Sequence, residues 1–269
     1  SGEKYYNEGC AIVYSALGQY LTPAAKEQFD QAIIYFKETL RLTNTLYDDG
    51  GDCYHIYAWY AIGTTLIELI KSTVKNKHVE DLVKRKMSFE YFEKILHYDS
   101  DSYYDNLRMY IWYNKGNAHD KLGEYEEALK CYDEALNFVR DTDDFLKISV
   151  LNNKGVTHSN LGQFKEAIEY FERIVDDVYD EAHDPDNADV WYNKGLAHYG
   201  LAQVFLRDRS KRNPENNDCL VRSAIAENEQ AIFCCEKVLE EDSKKTLIRS
   251  TFYQTDAKRL INMIACEMP

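Results

Sequence analysis

Apolar and polar positions along this chain follow a helical period with a longer one superposed on it. Residues 112–116 read Trp-Tyr-Asn-Lys-Gly, 151–155 read Leu-Asn-Asn-Lys-Gly and 191–195 read Trp-Tyr-Asn-Lys-Gly. The glycines Gly116, Gly155 and Gly195 therefore recur about every 40 residues, a period that signals a repeat architecture. Three residues past each glycine stands a histidine: His119, His158 and His198. Further on, Ala128 and Tyr132, then Ala167 and Phe171, form a small-to-aromatic step of four residues, which puts both members on one face of a second helix. Between the two helices lie Leu122-Gly123-Glu124-Tyr125 and Leu161-Gly162-Gln163-Phe164, which read as tight turns. Each period is thus a helical hairpin. A mid-helix glycine costs about 1 kcal/mol against alanine, so its recurrence predicts a place where the paired helix comes too close for a side chain.

Over residues 109–181 this pattern resembles the tetratricopeptide repeat, with Trp112, Gly116, Ala128, Tyr132 and Ala135, then Leu151, Gly155, Ala167, Phe171 and Ile174, on its recurring positions. Histidine stands in place of the usual first-helix aromatic. Three further units fit with longer helices: Gly195 is answered late by Ala231 and Cys235, Gly63 by Ser88 and Phe92, and Gly9 by Ala32 and Phe36. Thr22-Pro23 reads as a cap and first turn for the second helix of the first unit, although Leu17-Gly18-Gln19-Tyr20 offers an alternative turn there. A last helix with Phe252, Leu260, Ile261 and Ile264 reads as a cap on the stack. The resemblance implies an all-α, right-handed α-α superhelix (a solenoid) of about five hairpins plus a C-terminal capping helix. It reads as a single domain over residues 1–269, with units near 2–45, 54–100, 109–142, 148–182 and 188–242 and the cap at 244–267.

Composition supports this reading and narrows the function. Four prolines and twelve glycines leave little room for a turn-rich β fold, and 22 tyrosines suit surfaces that are part buried and part wet. A net charge of −14 disfavours nucleic acid and anionic membrane surfaces as partners. No apolar run approaches the ~18 residues a membrane span requires. Seven cysteines without a Cys-x-x-Cys pair, Cys234 and Cys235 adjacent among them, read as reduced core filler, which places the protein in the cytoplasm. No signal-peptide pattern is visible, and the opening Ser1-Gly2 leaves room for a targeting segment or a further domain ahead of it.

The sharpest candidate chemistry is carboxamide. Asn114, Asn153 and Asn193 each lie two residues before the repeat glycine, as Asn7 does in the first unit. By resemblance this position faces the concave groove, where an amide, donor and acceptor at once, suits the backbone of an extended peptide. The expected groove residues are Tyr113, Asn114, Asn117, Lys121, Asn152, Asn153, Asn160, Tyr192 and Asn193. On that reading, removing the amides of Asn114 and Asn153 weakens partner capture and leaves the fold standing. A clamp for a chaperone's C-terminal carboxylate, one use of this family, is not expected, because the matching positions hold Tyr113, Asp189 and Asn193 rather than cations.

Other clusters have plainer readings. Repeated histidines on helices about 8–10 Å apart cannot share one zinc, so they read as core substitutes for tyrosine. Asp176, Asp177, Asp180, Glu181, Asp184, Asp186 and Asp189 lack the glycine and register of a calcium loop and read as solvated acid with a helix cap. Arg207, Arg209, Lys211 and Arg212 form a local cationic tip. No phosphate loop or nucleophile motif is present. The expectation is a non-enzymatic scaffold without cofactor or metal that binds a protein or peptide in its groove. A self-assembling structural protein (a homo-oligomer) and the recruiting or sensing portion of a larger enzyme or regulator are the alternatives.

Overall fold

The computed structural model describes residues 2–17, 23–43, 54–72, 78–97, 105–139, 144–177, 188–209, 217–241 and 248–267. Over them run eleven helices: α1 (Gly2–Leu17), α2 (Pro23–Thr43), α3 (Tyr54–Ser72), α4 (His78–Leu96), α5 (Asp105–Lys121), α6 (Tyr125–Asn137), α7 (Asp144–Asn160), α8 (Phe164–Asp177), α9 (Ala188–Arg209), α10 (Asn217–Glu241) and α11 (Ile248–Glu267). No strand occurs among the described residues. The fold class is all-α, a solenoid of helical hairpins. Backbone contacts divide the chain into two compact units, Ser1–Phe138 and Val139–Pro269. Unit 1 holds the hairpins α1–α2, α3–α4 and α5–α6; unit 2 holds α7–α8, α9–α10 and α11. Gly18, Gln19, Tyr20 and Thr22, most of the acidic run between α8 and α9, and Lys211 and Arg212 lie outside the described residues.

Each hairpin closes against its repeat glycine, four of the five through an aromatic ring. A methyl group added at Gly116 would stand 2.5 Å from the Tyr132 ring, and one at Gly155 would stand 2.6 Å from Phe171. Gly9 meets Phe36 and Gly63 meets Phe92 in the same way. In α9–α10, Gly195 faces the Ala231 carbonyl, Cys234 and Cys235, so the late partners read from the sequence are the ones that pack. The seat explains why glycine is kept mid-helix: the partner ring fills the volume a Cβ would take. Those rings are the largest groups in the core, with Phe36, Phe92, Tyr132 and Phe171 all fully buried. Burial of each contributes about 1.5–3 kcal/mol by transfer from water. In α3–α4 the buried Ser88 hydroxyl also donates to the Gly63 carbonyl at 2.8 Å.

The two short hairpins share one turn chemistry. Gly123 and Gly162 both take φ of 75°, the left-handed region where glycine carries no penalty. Gly123 donates its N–H to the Asp120 carbonyl at 2.9 Å and Glu124 donates to the His119 carbonyl at 3.0 Å, the Schellman pattern that ends a helix. Gly162 to Ser159 and Gln163 to His158 repeat it, both at 2.9 Å.

Candidate functional site

The nine residues expected in a groove all fall on the first helices of their hairpins. Tyr113, Asn114, Asn117 and Lys121 lie on α5 in unit 1; Asn152, Asn153 and Asn160 lie on α7, and Tyr192 and Asn193 on α9, in unit 2. Lys121 and Asn160 are exposed, Asn152 is buried, and the remainder are half-buried.

The carboxamides join neighbouring first helices. Asn114 donates through Nδ2 to the Tyr60 hydroxyl of α3 at 3.2 Å and to the Tyr110 carbonyl at 2.9 Å. In unit 2, Asn193 donates to Oδ1 of Asn152 on α7 at 3.2 Å. Both acceptors stand three residues before their own repeat glycine, so one rule describes both contacts. Asn117 works within its hairpin, accepting from the Tyr132 hydroxyl at 2.8 Å. The amides that make these contacts are therefore structural, and Asn114→Ala is expected to touch the fold, contrary to the sequence reading.

The lysine of the Asn-Lys-Gly signature makes the matching contact on the other side. Lys115 is buried, reaches Glu93 of α4 and lies 4.4 Å from the Trp112 ring centre. Lys194 pairs with Glu172 of α8 at 3.3 Å and lies 5.6 Å from the Trp191 ring centre. Each glutamate follows the hairpin's core residue, Phe92 or Phe171. Sequence reasoning missed this contact, although the recurring lysine was its signal.

The histidines are hydrogen-bonding groups rather than pure core. Nδ1 of His119 lies 2.7 Å from Glu124, that of His158 lies 2.7 Å from Gln163, and that of His198 lies 2.7 Å from Glu227. The three acceptors each stand four residues before the hairpin's alanine, Ala128, Ala167 or Ala231. Glu124 is held by Arg85 as well. Burial pulls its carboxyl upward, but the hydrogen bonds from Arg85 and His119 outweigh burial and leave it below its ordinary value. These groups rim a cavity of about 1210 Å³ on the second-helix side of unit 1, whose lining includes Phe89, Glu93 and His97. None of the nine expected residues reaches it. Among the described residues, no group of three or more His, Cys, Asp or Glu is placed to hold a metal ion.

Tyr113, expected from the sequence, and Tyr6, Tyr57, Tyr60 and Tyr110, which were not, complete the first-helix face of unit 1. Tyr6, Tyr60 and Tyr113 each stand three residues before a repeat glycine, and Tyr57 and Tyr110 stand six before. The inner row is half-buried, whereas Tyr57 is 37% and Tyr110 40% exposed. Tyr6 lies 5.8 Å from Tyr54 and 6.3 Å from Tyr57, ring centre to ring centre, which ties α1 to α3. Burial pushes the Tyr60 hydroxyl up, with nearby Tyr110 adding to the shift, so Tyr60 stays a neutral donor as well as an acceptor for Asn114. In unit 2, Tyr192 packs on Tyr253 of α11 at 5.6 Å, and burial together with Asp256 raises its hydroxyl likewise.

A tetratricopeptide repeat family model matches residues 107–177, and a second one matches residues 152–204. Residues 107–204 are tetratricopeptide repeats. The matched span takes in Gly116, Gly155, Gly195 and their Asn-Lys pairs. Tetratricopeptide repeats serve in general as protein–protein interaction scaffolds and are typically non-enzymatic. Among solved structures, a TPR repeats protein from Bacteroides fragilis is similar, with 15% identity over 99% of this chain and 98% of that one at a TM-score of 0.37. None of the curated proteins matches the sequence. Among the described residues no helix is long and apolar enough to cross a membrane.

Proposed function

We propose that this chain holds an extended segment of a partner polypeptide across the first helices of its hairpins. The observation that carries the reading is the pair of exposed rings, Tyr57 and Tyr110, at one repeat position on adjacent first helices. Beside them Asn114 is already oriented by its bonds to Tyr60 and Tyr110, and Asn117 by its bond from Tyr132. Tyrosine offers a large rigid contact area at small entropic cost, and a preoriented amide loses little freedom on binding. In unit 2 the corresponding positions hold Asn153, Tyr192 and Asn193, the last oriented by its bond to the buried Asn152, with Asn160 at the end of α7 as Lys121 is at the end of α5.

The test uses the rings, because Asn114 also bridges α5 to α3. Tyr57→Ala combined with Tyr110→Ala should weaken capture of partners from the source cell's extract by about tenfold or more, while the lost Tyr6–Tyr57 contact lowers the melting temperature by only a few degrees and leaves the helices folded by circular dichroism. Undiminished capture by this folded double variant removes the reading.

One observation favours self-association instead. Ile34 is 66% exposed on α2, beside Tyr5 and Tyr35 at a cavity of about 520 Å³. Concentration-dependent growth in light scattering that Ile34→Lys abolishes would support that second role; a constant monomer mass would dismiss it.

A further inference from the structure

The proposal above leaves open what kind of segment binds, and three features of unit 1 bear on it. Its three first helices carry an inner ring each (Tyr6, Tyr60, Tyr113), and α3 and α5 carry an outer one as well (Tyr57, Tyr110), so a ligand crossing α3 and α5 meets equivalent tyrosines at the interhelical spacing of about 8–10 Å. A polyproline II helix advances about 9 Å per turn of three residues. A β-strand returns to the same face after about 7 Å and drifts out of step with such rows. Polyproline II also leaves its backbone carbonyls without internal partners. Tyr110 is 40% exposed on this face, and its hydroxyl is a donor that can meet them.

Charge supplies the third feature. Six residues before its glycine, where α3 and α5 carry Tyr57 and Tyr110, α1 carries Glu3; five residues after it, where α7 carries Asn160, α3 carries Glu68 and α5 carries Lys121. Carboxylates thus outnumber cations on this face, on a protein of net charge −14. Tyrosine faces attract cations as well. An acidic segment would meet repulsion there, and a basic one attraction.

We infer that the occupant of the unit 1 face is a proline-rich segment of a partner protein in polyproline II conformation, carrying arginine or lysine. This rests on the peptide-binding reading and specifies it. Prolines seat on Tyr57 and Tyr110, the Tyr110 hydroxyl donates to a carbonyl between them, and the basic side chains lie toward Glu3 and Glu68.

The experiment is fluorescence anisotropy of the full chain with three labelled peptides: repeating Pro-Pro-Arg, repeating Pro-Pro-Glu, and repeating Gly-Ser-Arg of the same length. Pro-Pro-Arg should bind about tenfold more tightly than either control, and more weakly as salt is raised. Tyr57→Ala with Tyr110→Ala should erase that preference, whereas Tyr57→Phe with Tyr110→Phe, which keeps the rings, should retain most of it. Equal binding of Gly-Ser-Arg or Pro-Pro-Glu, or binding of none, overturns the assignment. If native partner capture is still lost in the alanine pair, peptide binding on this face stands and only the choice of occupant falls. If capture is unaffected, both fall.

Discussion

At the scale of single residues, the repeat glycines and the Glu124 carboxylate carry the clearest consequences. Gly116→Ala places a methyl group 2.5 Å from the Tyr132 ring, a contact that forces α5 and α6 apart. Overpacking of this kind costs about 1–3 kcal/mol. Gly123→Ala meets nothing within 4 Å and bears only the penalty of its φ of 75°, about 1–2 kcal/mol. Urea unfolding of both variants, with Gly116→Leu as the extreme case, separates steric from conformational cost; an unaltered Gly116→Leu would contradict the hairpin register. Glu124 gives a pH dependence. Its folded value lies below the ordinary 4.5, so its contribution to stability is present above that value and is lost as pH falls through the folded one. Glu124→Gln should therefore lower the melting temperature near neutral pH, and the gap from wild type should close as the medium is acidified below about 4.5. A gap independent of pH would mean that Arg85 and His119 do not act through charge.

At the scale of helices, Asn-Lys-Gly reads as three contacts in three directions. The glycine admits the partner ring of its own hairpin; the asparagine reaches the preceding first helix, as Asn114 reaches Tyr60; the lysine reaches the preceding second helix, as Lys115 reaches Glu93. The energetics of the lysine pair are asymmetric because Lys115 is 9% exposed at its side chain and Glu93 is 45% exposed. Glu93→Ala strands a buried ammonium and should cost about 1–3 kcal/mol. Lys115→Met returns Glu93 to water and keeps the packing on Trp112, so chemical denaturation should find it close to neutral. Equal costs for the two would argue against burial as the cause. Asn114→Ala, which removes two hydrogen bonds, should cost about 1–2 kcal/mol.

The hairpins were legible in the sequence because their signal is steric and local. Glycine against aromatic leaves a fixed pair of residue types, and this survives even where the turn is long, as with Gly63 and Phe92. The histidine contacts were not legible, since His119 meets Glu124 only after the left-handed Gly123 folds the chain back. Of the candidate face, Tyr113, Asn114, Tyr192 and Asn193 were read from their place beside the glycine. Tyr57, Tyr60 and Tyr110 were missed, although their offsets from Gly63 and Gly116 were present, because tyrosine alone does not declare whether it packs inward or outward.

At the scale of the whole molecule, thiol reactivity reports the integrity of both units at once. Cys131 in unit 1 and Cys234 and Cys235 in unit 2 are buried, and burial pushes their thiols up to about 11, 11 and 12 respectively. Little thiolate then forms at neutral pH, and access is closed as well. Cys219 and Cys266 are exposed. A thiol reagent with mass-spectrometric mapping should label Cys219 and Cys266 in the native protein and reach Cys131, Cys234 and Cys235 only on unfolding. Early modification of Cys131 with Cys234 still protected would show unit 1 opening by itself.

The seat between repeat glycine and partner helix has a further consequence for how this architecture tolerates change. In α9 and α10 the close approach at Gly195 and Ala231 lies well inside both helices and holds their alignment there. A zip fastened at its middle leaves its far end open to alteration. Turns added in step to α9 and α10 beyond that seat would therefore lengthen the pair without shifting one helix along the other.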